Sequence, residues 1–256
     1  MSRRNPVRAS PGLPRCRRLV GTGCALWLLS LIVAAPSARA DGPWGATLGV
    51  TSNYILRGVS QTYGGAAIQL GGSYQSPLGW FAGAWGSNVD PYPSGISSTE
   101  LDLYAGFARA ISNDFTARAT YTHYSYLHDP RPTRYDYNEL ALTAAYVDRV
   151  ALTLSYVPDG TVYSRLGLAR DRPTFALEAN GRWPLGQGFA LTGGAGYYDL
   201  NHQFGVEYWA GSVGLAYTTR HLEIDVARYF TDHTVERLYE DGSANGVVAV
   251  SAVLRF

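Results

Sequence analysis

Alternation with a period of two dominates the pattern of apolar and polar positions. From Leu48 the series Leu48, Val50, Ser52, Tyr54, Leu56 interleaves with Thr47, Gly49, Thr51, Asn53, Arg57. Successive side chains of an extended strand point to opposite faces, so each series occupies one face. In the same way Leu101, Leu103, Ala105 and Phe107 oppose Glu100, Asp102, Tyr104 and Gly106, and Leu140, Leu142 and Ala144 oppose Glu139, Ala141 and Thr143. Phe175, Leu177 and Ala179 alternate with Glu178, Asn180 and Arg182, and Val248, Val250, Ala252, Leu254 and Phe256 share one face. The pattern predicts twelve strands, over 46–57, 66–76, 80–87, 99–109, 115–126, 136–147, 150–158, 173–183, 189–200, 207–217, 221–230 and 245–256.

The connections fall into two kinds that alternate along the chain. Short ones such as Pro77-Leu78-Gly79 and Asp148-Arg149 separate longer ones such as 88–98, 127–135, 159–172 and 231–244, which are richer in Asp, Arg, Pro and Gly. Short turns at one rim and long loops at the other, joining strands long enough to cross a bilayer at a tilt, are the pattern of an outer-membrane barrel. The expected fold class is therefore all-β: a single transmembrane, antiparallel, up-and-down barrel of about twelve strands, with both termini at the short-turn rim. A soluble β-sandwich also alternates. Against it stand the aromatics near strand ends, Trp44, Tyr54, Trp80, Trp85, Tyr121, Tyr124, Tyr126, Trp183, Tyr197, Tyr198, Trp209 and Tyr217, which read as interfacial girdles.

Charge narrows the function classes. The first forty residues carry seven Arg and no acid, leaving fourteen Arg against twenty Asp and Glu beyond them, and the chain has no Lys. A net-acidic body is a poor partner for nucleic acid. The basic start, the apolar core Ala25–Ala35 and the Ala38-Arg39-Ala40 site predict a cleaved signal peptide over 1–40 and a barrel domain over 41–256. Cys16 and Cys24, the two cysteines, both fall in that leader, so the expected mature chain has no disulfide, thiolate ligand or cysteine nucleophile. No cofactor is expected. The expected localisation is the outer membrane, with membrane lipid, lipopolysaccharide and the barrel-assembly machinery as partners; oligomeric state stays open.

Two motifs carry a family resemblance. Thr51-Ser52-Asn53-Tyr54 with Arg57-Gly58-Val59-Ser60-Gln61, and Trp85-Gly86-Ser87-Asn88-Val89-Asp90, span about forty residues. They resemble the opening of the TorF family, outer-membrane barrels suggested to be porins, with no settled substrate. Asn53 stands where that family would be expected to carry Asp, which removes support for a charge-based role there. The closing Phe256 resembles the assembly signal of outer-membrane proteins.

Candidate chemistry lies mainly on the polar faces. Arg57, Glu100, Asp102, Arg118, Glu139, Glu178, Arg182, Glu223 and Asp225 are the expected pore-lining charges, joined by Arg255 in a count of six acids to four bases. At Arg57-Gly58, a turn held by polar side chains is preferred over a constriction. For Asn88, Asp90, Glu100 and Asp102, solvated loop carboxylates are preferred over a hard-cation site. His123 and Ser125 are spaced like the His-x-Ser of lipid A deacylases, but Tyr126 replaces the usual Asn and no carboxylate orienter is assignable. His128, His202, His221 and His233 show no metal spacing. The function expected is a narrow porin for small solutes or ions, not an enzyme. The alternatives are a lipid A-modifying hydrolase using His123 and Ser125, or a pore-less structural or adhesive barrel.

Overall fold

The computed structural model describes residues 43–90, 98–127, 136–147, 149–160, 162–164, 167–169, 172–238, 244 and 246–256. The leader and its cleavage site, Asp41 and His128 lie outside these residues. The strands are β1 (Trp44–Thr51), β2 (Ile55–Leu56), β3 (Val59–Ser60), β4 (Ala67–Gln75), β5 (Trp80–Val89), β6 (Ser98–Ala110), β7 (Phe115–Leu127) and β8 (Tyr137–Tyr146). They continue with β9 (Val150–Val157), β10 (Val162–Ser164), β11 (Gly167–Ala169), β12 (Thr174–Gly186), β13 (Phe189–Leu200), β14 (Val206–Thr218), β15 (Leu222–Thr231) and β16 (Val247–Arg255). Two short helices, α1 (Asn201–Phe204) and α2 (His233–Leu238), lie in loops.

Twelve of these strands close into one antiparallel barrel in the order β1-β4-β5-β6-β7-β8-β9-β12-β13-β14-β15-β16 and back to β1. The seam pairs Thr47 with Arg255 and Thr51 with Ser251. It ends where the Phe256 amide donates to the Ala46 carbonyl at 3.0 Å and receives the Ala46 amide on its own carbonyl at 3.2 Å. Closure leaves no unpaired sheet edge. Chain direction puts the ends of β1 and β16 at the short-turn rim, as the sequence predicts. A ten-residue strand such as β5, rising about 3.3 Å per residue and tilted about 45°, spans roughly 23 Å, close to the height of the apolar band of such barrels.

The outer face is apolar. Leu70, Leu103, Leu142, Leu154, Val213 and Val250 project outward and exposed at mid-strand. Aromatic pairs stand near the short-turn rim: Trp44 with Tyr74 at 4.9 Å, Trp80 with Phe107 at 5.0 Å and Phe189 with Tyr217 at 4.8 Å between centroids. Tyr197 with Trp209 at 5.0 Å and Tyr156 with Phe175 at 4.9 Å mark the other rim. An apolar belt between aromatic girdles suits a bilayer and not water. Arg228 is also outward. The β15–β16 register is unbroken around it, so no bulge turns it inward, and its guanidinium sits 5.7 Å from the Phe230 ring near the long-loop rim.

The first strand corrects the sequence reading. Alternation through Leu56 predicts a strand over 46–57, but β1 leaves the barrel wall after Thr51, and residues 53–62 are buried inside the barrel. Five aromatics read as girdle residues, Tyr54, Trp85, Tyr124, Tyr126 and Tyr198, also point inward; four are buried and Trp85 packs against the buried cluster. An inward core of tyrosines and an outward belt have the same period along a strand, so sequence position alone could not separate them.

Candidate functional site: the barrel interior

Twelve strands about 4.8 Å apart and tilted about 40° give a backbone radius of roughly 12 Å, more than side chains alone fill. The segment between β1 and β4 occupies that space near the long-loop rim. It is a hairpin of β2 and β3, pairing Ile55 with Ser60 and Leu56 with Val59. Arg57 and Gly58 form its tip at φ of 48° and 83°. Two central residues at positive φ are the mark of the tight hairpin turn in which glycine is favoured. Gly58 has a second reason to be glycine: a Cβ there would lie 2.5 Å from Thr231 Cγ2 and 2.8 Å from Ala210 Cβ on the wall.

Polar side chains hold the base of the hairpin. Thr51 Oγ1 donates to the Asn53 carbonyl at 2.9 Å, and Ser60 Oγ donates to Asn53 Oδ1 at 2.6 Å. The Tyr54 amide donates to Thr62 Oγ1 at 3.1 Å, and the Gln61 amide to the Tyr54 carbonyl at 2.7 Å. Asn53 therefore acts as an acceptor, a role that needs no charge. Leu56 and Val59 join Tyr124, Tyr137, Tyr198, Leu200, Tyr208 and Val235 in one buried cluster inside the barrel.

The two motifs of the family resemblance meet in space. The Asp90 amide donates to the Gln61 carbonyl at 2.9 Å, and the Trp85 ring stands edge-on to Tyr54 at 5.7 Å. Asn88 clamps the return of the chain to the wall, accepting from the Ile68 amide at 2.7 Å and donating to the Ala66 carbonyl at 3.1 Å. Ser87 Oγ donates to the Asn88 carbonyl at 3.0 Å, and a Cβ on Gly86 would stand 3.1 Å from the Glu100 carbonyl. One motif is the in-folded hairpin; the other is part of the wall that seats it.

Arg57 reaches the far wall. In barrel order β9 lies opposite β1, and its two neighbours β8 and β12 supply Glu139 and Glu178. One guanidinium nitrogen, Nη2, bonds Glu139 Oε2 at 3.1 Å and Glu178 Oε2 at 3.2 Å. Tyr198 donates to the other oxygen of Glu178 at 2.9 Å and lies 5.4 Å from the guanidinium carbon, and Tyr208 donates to the Arg57 carbonyl at 3.3 Å. Extra hydrogen bonds of this kind, here to Glu178 and to the Arg57 carbonyl, offset part of the cost of desolvating an ion pair. Turn and cross-lumen contact coexist at Arg57-Gly58, where the sequence reading preferred the turn alone.

Glu100 and Asp102 correct a second expectation. They are 0% and 1% exposed, so they are not solvated loop carboxylates. Glu100 accepts from Tyr126 at 2.7 Å and Tyr54 at 3.3 Å. Both carboxylate oxygens of Asp102 lack a hydrogen-bond partner among the described residues.

The other expected charges also lie inside the barrel, toward the short-turn rim. Glu223 accepts from Arg255 at 3.3 Å and faces Arg182 at 3.6 Å, Asp225 accepts from Thr192 at 3.2 Å, and the Arg118 guanidinium covers the Phe81 ring at 3.9 Å. The interior is therefore polarised along its axis. Glu100, Asp102, Glu139 and Glu178 share the long-loop half with Arg57, which pairs with the last two, whereas Arg118, Arg182 and Arg255 outnumber Glu223 and Asp225 in the other half.

His123 lies on the outer face near the long-loop rim. Its Nδ1 pairs with Asn138 Oδ1 at 2.9 Å, and Tyr121 and Asp159 bond the same Asn138. Among the described residues no group of three or more His, Cys, Asp or Glu is arranged to hold a metal ion.

A family model described as "Bacterial protein of unknown function (Gcw_chp)" matches residues 37–253. Among curated proteins none matches. The fold is similar to a solved structure of the KdgM porin, with TM-score 0.52 and 12% identity over 83% of this chain and 99% of that one. A second structure, the KdgM porin in complex with disordered oligogalacturonate, gives TM-score 0.51 and 10% identity over 83% and 97% of the two chains. At such identities the likeness is one of fold.

Proposed function

We propose that this chain, which belongs to the Gcw_chp family of bacterial proteins of unknown function, is an outer-membrane porin: a narrow passage for small solutes or ions, restricted by the hairpin between β1 and β4. The observation that carries this reading is a closed barrel with an apolar exterior and a charged interior too wide to be filled by its own wall side chains. The fold likeness to the KdgM porin and the TorF resemblance of the two motifs support it. Under the same reading, residues 1–40 direct export, outer-membrane lipid and lipopolysaccharide contact the exterior, and Arg57, Glu100, Asp102, Arg118, Glu139, Glu178, Arg182, Glu223 and Asp225 line the route.

The oligogalacturonate of the KdgM complex does not transfer. Oligogalacturonate is a polyanion, and the long-loop half of this interior holds four carboxylates to one arginine, Arg57, which pairs with two of them. Like charge in a confined, low-dielectric space repels such a ligand. The hydrolase reading finds less support: His123 engages Asn138, and no bond joins it to Ser125 among the described residues.

Single-channel recording of the purified, refolded protein tests the proposal. Discrete conductance steps in potassium chloride are expected. A correctly folded barrel that conducts under no applied voltage would overturn the porin reading and leave the pore-less barrel.

A further inference from the structure

The acids of the long-loop half belong to the wall, on β6, β8 and β12, whereas their cation arrives on a loop. The hydrogen bonds that shape the hairpin run largely within it, from Asn53 to Ser60 and from Tyr54 to Thr62 and Gln61. It meets the wall through Arg57 on Glu139 and Glu178, Tyr54 on Glu100, Tyr208 on the Arg57 carbonyl, and the packing of Leu56 and Val59 in the buried cluster. The wall is a framed receptor, and the guanidinium of Arg57 is an occupant of it.

The receptor has the chemistry of an organic-cation site. Two carboxylates accept from one guanidinium nitrogen, and the Tyr198 ring, itself stacked on Tyr208 at 4.7 Å, lies 5.4 Å from the guanidinium carbon. Aromatic faces beside carboxylates favour a delocalised cation over a strongly hydrated metal ion. A second, independent observation comes from Asp102. It is inward-facing and 1% exposed, and neither of its oxygens has a hydrogen-bond partner among the described residues. Buried acceptors are ordinarily satisfied, so this one is left for a donor that the described chain does not supply.

We propose that the cluster Glu139, Glu178, Glu100 and Asp102 is a binding site for small organic cations bearing a guanidinium group, and that Arg57 occupies it as an internal competitor. The inference rests on the porin reading only for how the solute arrives. A solute with a guanidinium at one end and an ammonium at the other places the first between Glu139 and Glu178 and the second toward Asp102. Entry displaces Arg57 and moves the hairpin tip away from the far wall, so occupancy and opening are coupled.

Agmatine, a guanidinium and an ammonium on a four-carbon chain, is the probe, with potassium gluconate at matched ionic strength as control. Trp85 reports hairpin movement through its contact with Tyr54, so tryptophan fluorescence of the refolded barrel in detergent reads binding without any need for conduction. Saturable binding is expected for the natural chain. Arg57→Gln should tighten it at least tenfold by removing the competitor, and Asp102→Asn and Glu178→Gln should each weaken it at least tenfold. Heat-modifiable gel migration establishes that each variant is folded; if Arg57→Gln does not fold, the Asp102→Asn comparison decides alone. No saturable binding, or equal affinity in the natural chain and Asp102→Asn, overturns the proposal. Binding in a barrel that passes no current would uphold the site and sink only the porin reading.

Discussion

The edge of Trp85 meets the ring of Tyr54 at 5.7 Å, joining a barrel strand to the hairpin folded inside the barrel. The contact links the two stretches of sequence that carry the family resemblance. It gives them a common physical role: one segment plugs, the other receives the plug.

Arg57→Gln leaves Glu139 and Glu178 facing each other without their cation. Removing one partner of a buried pair costs about 3–5 kcal/mol, because the remaining charges stay desolvated. The expected result is lower stability in urea unfolding from lipid vesicles, together with larger or more frequent channel openings. Restoring charge balance with Glu139→Gln and Glu178→Gln in the same chain should recover most of the stability, and a triple variant no better than the single one would argue against the cross-lumen pairing.

Asp102→Asn should act in the opposite direction on stability. A buried carboxylate without hydrogen-bond donors is costly, and making it neutral removes the larger part of that cost. A gain of about 1–3 kcal/mol is expected in the same unfolding assay. A loss would mean that Asp102 is satisfied by a partner in the folded barrel.

Gly58 and Gly64 both adopt positive φ, 83° and 80°, but a Cβ on Gly64 would meet nothing within 4 Å. Comparing Gly58→Ala with Gly64→Ala therefore separates backbone strain from collision with the wall. Gly64→Ala should cost only the strain of the left-handed backbone, on the order of 1–2 kcal/mol, and leave conductance unaltered. Gly58→Ala should also push the tip off Thr231 and Ala210 and raise conductance. Equal conductance in the two variants would show that the tip is not seated as described.

Leu142 is 61% exposed on the outer face, while its neighbour Thr143 points inward and shares a 2.9 Å hydrogen bond with Thr153. Leu142→Arg should destabilise the barrel in lipid by about 2–4 kcal/mol, and Thr143→Arg by far less. Equal losses would contradict the assignment of faces. The contrast should vanish in an assay of solubility in urea, where no hydrocarbon surrounds Leu142.

Alternation made the wall legible: strands such as β7, β9 and β13 lie within a residue or two of their expected limits, because one face meets an apolar medium along its whole length. The charges of the interior were legible for the same reason, since Glu100, Asp102, Glu139 and Glu178 occupy the polar phase of their strands. Their grouping in one half was readable in principle from chain direction, as each lies near the long-loop end of its strand. The hairpin was not legible. Tyr54 and Leu56 continue the apolar phase of β1, and only the bend at Thr51–Asn53 and the glycine tip show that this phase has passed from the outer surface to the interior. Nor does sequence spacing foretell that Arg57 meets residues 82 and 121 positions away.

Replacing residues 52–66 by a short turn joining Thr51 directly to Ala67, and recording single-channel current from the folded product, tests the hairpin as the restriction most directly. Expected is a conductance several-fold above that of the natural chain, with a preference for potassium over chloride that weakens toward 1 M salt as the Debye length falls to about 3 Å. Unchanged conductance, or a preference for chloride, would contradict a lumen closed by this hairpin and lined on its long-loop side by carboxylates.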